Sequence, residues 1–134
     1  MTDFNLRIVT PDGVEFEGSA SSITVRSTDG NVGILARHTP YVTPLAIGET
    51  KVITDGQTRV AACGGGMLSV MPDMVTIVAT TFEWAENIDL ERANRAKERA
   101  DRIIGEGAAS QKEQKIAELK LKRALARINA AKQV

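Results

Sequence analysis

A chain of 134 residues, 43% hydrophobic and 25% charged, has the composition of an ordinary globular protein, long enough for one good core and a small appendage. One cysteine, Cys63, excludes an internal disulfide and fits a reducing compartment. No stretch approaches the roughly 20 apolar residues of a membrane-spanning helix, and Met1-Thr2-Asp3-Phe4 lacks the basic-then-apolar start of a signal peptide. The zero net charge hides a division: residues 1–87 hold ten acidic and five basic side chains, residues 88–134 seven acidic and twelve basic. Such asymmetry points to two modules with different partners.

Residues 1–86 read as strands and turns. Phe4, Leu6 and Ile8 alternate with polar residues, as do Val14 and Phe16, then Ile23 and Val25, the mark of half-buried strands. Turn signals separate them at Pro11-Asp12-Gly13, Asp29-Gly30-Asn31, Gly48-Glu49, Asp55-Gly56 and Pro72-Asp73. Asp55-Gly56, between Lys51–Thr54 and Gln57–Val60, predicts a tight hairpin, because glycine accepts the positive φ of that turn. Val75–Ala79 is a last β-branched run. Many short strands without intervening helices predict a β-sandwich or barrel-like double sheet.

From residue 87 the period changes to that of helices rich in Ala, Glu, Lys, Arg and Leu. Asn87 or Asp89 can cap the first helix, Gly105 and Gly107 end it, and Ser110 can cap the second. Ala93, Ala96, Ala100 and Ile103 form a narrow stripe; Ala117, Leu121, Ala124, Ile128 and Ala131 form its counterpart. Stripes so slim bury little area, so the expected helical hairpin docks weakly.

Arginines dominate this hairpin. Arg92, Arg95, Arg99 and Arg102 share one helix face, and Arg123 and Arg127 repeat the spacing on the second helix. Glu91 stands four residues before Arg95 and Glu98 four before Arg102, so both have local carboxylates; Arg92 has only Asp89. Arg99, Arg123 and Arg127 have none three or four residues away. Facing arginines without partners repel unless an anion lies between them, and guanidinium groups grip phosphate bidentately. A solvated charged face is the competing explanation.

Other motifs carry less. Gly64-Gly65-Gly66-Met67-Leu68-Ser69 lacks the lysine ending of a phosphate loop and precedes no helix, so a tight bend is the better reading. His38 and Cys63 make a poor catalytic pair and offer no metal-ligand spacing. A nucleic-acid-binding module using the basic hairpin is the alternative function. The hairpin lacks aromatic residues for base stacking, and the acidic first module would repel a polyanion.

Four segments resemble the epsilon subunit of the F-type rotary ATP synthase: Ile8–Gly13, Gly30–Pro40, Gly64–Val70 and Ile88–Ala93. The resemblance implies a β-sandwich of about ten strands over residues 1–86 and a regulatory two-helix hairpin over 87–134. It implies a non-catalytic rotor subunit joining gamma to the ring of c subunits. The location implied is peripheral, at the cytoplasmic face of the bacterial plasma membrane, touching the membrane only through partners. The Gly30–Pro40 loop is associated with the ring, which makes Asn31 and His38 contact candidates. An extended hairpin is expected to reach the alpha and beta subunits, with Lys120, Lys122, Arg123 and Arg127 meeting an acidic segment of beta. Ile88-Asp89-Leu90-Glu91-Arg92-Ala93 matches the motif of members that bind ATP as a regulatory ligand. By matching position, Glu83 and Asp89 contact the adenine or order the site, while Arg92, Arg99, Arg123 and Arg127 approach the phosphates. No metal is required by the sequence, and nucleic acid is not among the expected partners.

Overall fold

The computed structural model describes residues 2–107 and 110–133; Met1, Ala108, Ala109 and Val134 lie outside the described residues. Eight strands come first: β1 (Phe4–Thr10), β2 (Gly13–Ala20), β3 (Ser22–Ser27), β4 (Gly30–Leu35), β5 (Tyr41–Thr54), β6 (Gln57–Val70), β7 (Val75–Ala79) and β8 (Phe82–Trp84). A 3-10 turn, Ala85–Asn87, leads to α1 (Leu90–Gly105) and α2 (Gln111–Ala131).

The strands follow one hydrogen-bonded path, β2-β1-β7-β6-β5-β3-β4, with β8 added on β6. Only the β1–β7 pair is parallel among the strand pairs of the described residues. β5 and β6 are 14 residues long, and their ladder steps over Ala46 and Gly65, where the path folds back on itself. Gly65 and Gly66 at this fold have φ of 95° and 144°, conformations that side-chain-bearing residues rarely adopt. On one side, Tyr41–Leu45 and Gly66–Val70 join β7, β1 and β2; on the other, Ile47–Thr54 and Gln57–Gly64 join β8, β3 and β4. The result is a β-sandwich. Counting β5 and β6 once in each layer turns the eight strands into the ten that the resemblance implies.

Gly48-Glu49 is not a turn. It lies inside β5, where a Cβ on Gly48 would come within 2.8 Å of Arg26 Cβ, so this glycine serves close approach rather than chain reversal. Asp55-Gly56 is the expected hairpin, with φ of 51° and 74°.

One register row, Phe16–Ile8–Ile77–Leu68–Thr43, points into the core, where Ile8, Ile77 and Leu68 are fully buried. The adjacent row, Val14–Val9–Val78–Met67–Pro44, points outward across the same five strands and leaves Val14, Val78 and Met67 exposed. Phe82 and Trp84 pack edge to face at 5.1 Å, and Phe16 meets Trp84 at 6.2 Å, closing one edge of the core.

Cys63 is buried beside Thr50 and the Gly65 carbonyl, and burial pushes its thiol above the usual range. The neutral thiol is therefore favoured in the folded chain. Its contribution to stability is complete below the unfolded thiol pKa and is lost as pH rises through the higher folded value. In the native chain at pH 8, a disulfide reagent such as dithiobis(nitrobenzoate) is expected to react about a hundredfold more slowly than in urea. Equal rates would contradict the burial.

Candidate functional site

The hairpin begins with a cap. The Asp89 side chain accepts from the Arg92 backbone N–H at 3.1 Å, and Ser110 does the same for Glu113 at 3.1 Å. Asp89 thus answers the backbone of Arg92. Ala93 and Ala100 are buried on α1, as are Ala117, Ala124 and Ile128 on α2, giving a close helix-to-helix seam. Ala96 is only half-buried and Ile103 is exposed.

α2 also has a second buried face that its single stripe does not reveal. Ala126 and Ala130 pack with Val60, Ala62 and Ala85, against which Ile47 and Ile88 also lie. The available signal is the four-residue step between the two alanines, but its flanks are exposed and dilute it. α2 is consequently the helix that meets β5, β6 and the 3-10 turn, while α1 rests on α2.

Charge pins this joint. Arg127 Nε donates to Glu83 Oε1 at 2.8 Å, linking α2 to β8 with both side chains half-buried. Arg59 Nη2 donates to Glu86 Oε1 at 2.7 Å, and its guanidinium lies 3.7 Å from the centre of the Trp84 ring. That hydrogen bond holds the Glu86 carboxyl below the usual carboxylate range. Its stabilisation is present above the unfolded pKa and is lost as pH falls through the lower folded value.

The arginines divide by surroundings. Arg95 pairs with Glu91 at 3.9 Å, whereas Arg102 makes no ion pair with Glu98 among the described residues. Arg92 and Arg99 are exposed on α1 and make no ion pair among the described residues. Arg123 is half-buried, and its Nε is fully enclosed with no hydrogen-bond partner in the protein.

Glu83, Arg123 and Arg127 therefore come together, with Thr81 and Ala126, around a hollow of about 10 Å³. That space is too small for a nucleotide, so any ligand of these groups lies outside it, toward the open hairpin surface. Ile88 and Ala93 are packing residues, half-buried and buried respectively.

The segment 30–40 is not a single loop. Gly30–Leu35 is strand β4, so Asn31 and His38 sit in different places. Asn31 faces a groove of about 820 Å³ beside α2, whereas His38 lines a separate cleft with Leu35 and Met71. The His38 ring lies 5.9 Å from Tyr41, and its Nδ1 is 2.7 Å from the Thr39 carbonyl oxygen. Lys120 and Lys122 are exposed on α2, and Lys122 borders the same groove as Asn31.

These features define a two-module chain: a β-sandwich with an open apolar outer row, and a helical hairpin held to it through α2 and, among the described residues, one ion pair. Residues 3–85 match the family described as the beta-sandwich domain of the ATP synthase delta/epsilon chain, and residues 86–132 match its long alpha-helix domain. The chain belongs to the epsilon-subunit family of the F-type ATP synthase. It is 43% identical over 131 residues to the ATP synthase epsilon chain of Bacillus velezensis, covering 98% of each. It is 39% identical over 132 residues to that of Shouchella clausii, covering 98% of this chain and 97% of the relative. The fold is also similar to a chain of the Euglena gracilis mitochondrial ATP synthase, with a TM-score of 0.84 at 24% identity, covering 98% of this chain and 82% of that one. Among the described residues, no helix is long and apolar enough to cross a membrane.

Proposed function

We propose that this chain is a non-catalytic rotor subunit of the ATP synthase whose hairpin senses ATP and restrains hydrolysis. The sandwich attaches to gamma and to the c-ring at the cytoplasmic face of the bacterial membrane. The exposed row Val14–Val9–Val78–Met67–Pro44 suits a protein partner, because a contiguous apolar strip on a sheet is stabilised by being covered. The cleft carrying His38, Leu35 and Met71 offers a second contact surface, which fits the ring. A solved structure similar in fold, at 14% identity and a TM-score of 0.63, is described as the central stalk and c-ring of the Tetrahymena thermophila mitochondrial ATP synthase, with 97% of each chain covered.

The observation that carries the ATP reading is the clamp at the joint. Glu83 uses only the Nε of Arg127, so the terminal N–H groups of that guanidinium remain for phosphate oxygens. Arg123 brings an enclosed donor without a partner to the same hollow, and Arg92 and Arg99 add exposed charge from α1. Residues of both helices and of β8 would thus hold one ligand, and Asp89 orders the first turn from which Arg92 projects. ATP would favour the compact hairpin through its preference for that state, by about 2.7 kcal/mol at a hundredfold excess over Kd. As ATP falls, the arginine groups repel, the hairpin extends, and Lys120, Lys122, Arg123 and Arg127 engage an acidic segment of beta.

Calorimetry of the isolated chain with ATP tests this. Arg92→Ala and Arg127→Ala are each expected to weaken binding about tenfold or more, since each removes a charge-assisted bond to phosphate. Unchanged titrations in both variants would remove the ATP assignment.

A further inference from the structure

The groove of about 820 Å³ on the sheet side of α2 lies outside the proposed nucleotide site, with which it shares only Arg123 at its border. Its walls are the outer face of β3–β5 and the flank of α2. Arg26 lies directly across from Asn31 in the β3–β4 pair, and Lys51 lies opposite Thr24 in the β3–β5 pair. With Lys122 and Arg123 from α2, four cations line one groove against a single carboxylate, Glu49. Glu49 accepts a hydrogen bond from Gln133 Nε2. None of the four cations makes an ion pair among the described residues.

The backbone is shaped to keep Arg26 here. Gly48 has no side chain where Arg26 crosses β5, and a Cβ at that point would meet Arg26 Cβ, Cγ and Cδ at 2.8, 3.0 and 3.1 Å. The aliphatic stem therefore lies along the strand, and its charge is kept on the face that α2 overlooks. Four like charges in one confined groove raise its positive potential. The volume is that of a small-ligand site and not of a protein interface.

We infer that this groove is a second anion site, distinct from the nucleotide site, which takes a small phosphoanhydride bridging the sandwich (Arg26, Lys51) and α2 (Lys122). A bound ligand holds α2 to the sheet independently of α1, because α1 contributes none of the four cations.

The test uses inorganic pyrophosphate and the full chain carrying Arg92→Ala and Arg99→Ala, which removes the α1 contribution to the nucleotide site. Amide resonances of residues 24–26, 31 and 47–51 are expected to shift on titration. Adding Arg26→Gln and Lys51→Gln is expected to weaken pyrophosphate binding about tenfold or more. Both side chains are exposed, so the fold should be retained, which far-UV circular dichroism checks. In the otherwise unaltered chain, the same two glutamines are expected to leave the ATP titration unchanged. Pyrophosphate affinity within about twofold of the parent, or shifts confined to α1, would overturn the inference. Groove shifts from pyrophosphate, together with no ATP binding by the unaltered chain, would instead refute only the ATP-sensing reading.

Discussion

Replacing Gly66 by alanine is expected to unfold the sandwich under conditions where the parent chain is stable. A Cβ at this position would lie 1.9 Å from the Val78 carbonyl oxygen and 2.9 Å from Ala79 Cα. The obstruction is backbone, and β7 cannot retreat because its other edge pairs with β1. The φ of 144° adds conformational strain to the clash. Together these cost about 3 kcal/mol or more, a large part of the 5–15 kcal/mol that stabilises a typical domain. Gly33→Ala is the control, since its Cβ would meet nothing within 4 Å and no positive φ is required. Urea denaturation followed by Trp84 fluorescence should show a much lower midpoint for Gly66→Ala. Equal midpoints for the two variants would refute the role given to the fold in β6.

The second large effect concerns the joint. Ala130 is 0% exposed, packed with Val60, Ala62 and Ala85. An aspartate there would bury an unpaired carboxylate, at a cost of about 3–5 kcal/mol if the helix stays docked. Undocking α2 returns the charge to water and avoids most of that cost. Ala130→Asp is therefore expected to release the hairpin and spare the sandwich. Hydrogen exchange should accelerate through α1 and α2 while β1, β6 and β7 keep their protection. ATP binding should be lost with the hairpin's compact form. Equal loss of protection in strands and helices would mean that the two modules unfold as one unit.

Much of this architecture could be read from residue order. Alternation marked β1–β3, Asp55-Gly56 marked the β5–β6 hairpin, and Asp89 and Ser110 marked the two caps, because each signal is local. Gly48 misled, since glycine marks both chain reversal and close approach, and only the neighbouring Arg26 distinguishes them. The length of β5 was hidden for the same reason. The pairing of Arg127 with Glu83 is invisible in the local pattern, since Glu83 lies 44 residues away; only the resemblance sets the two in one site. The stacking of Arg59 on Trp84 is another such long-range meeting. Ala126 and Ala130 were missed because a helix docked on two sides has no single apolar stripe.

The resting of α1 chiefly on α2 has a consequence for timing. α1 can peel away while α2 stays seated, at the expense of one alanine seam. α2 cannot depart first without carrying α1 along and uncovering Val60, Ala62 and Ala85. If the hairpin opens, release of α1 before α2 uncovers less apolar surface at the first step than the reverse order. A protease acting on such a state would cut within α1 before it reached α2, leaving α2 on its sheet with no covalent link to the sandwich.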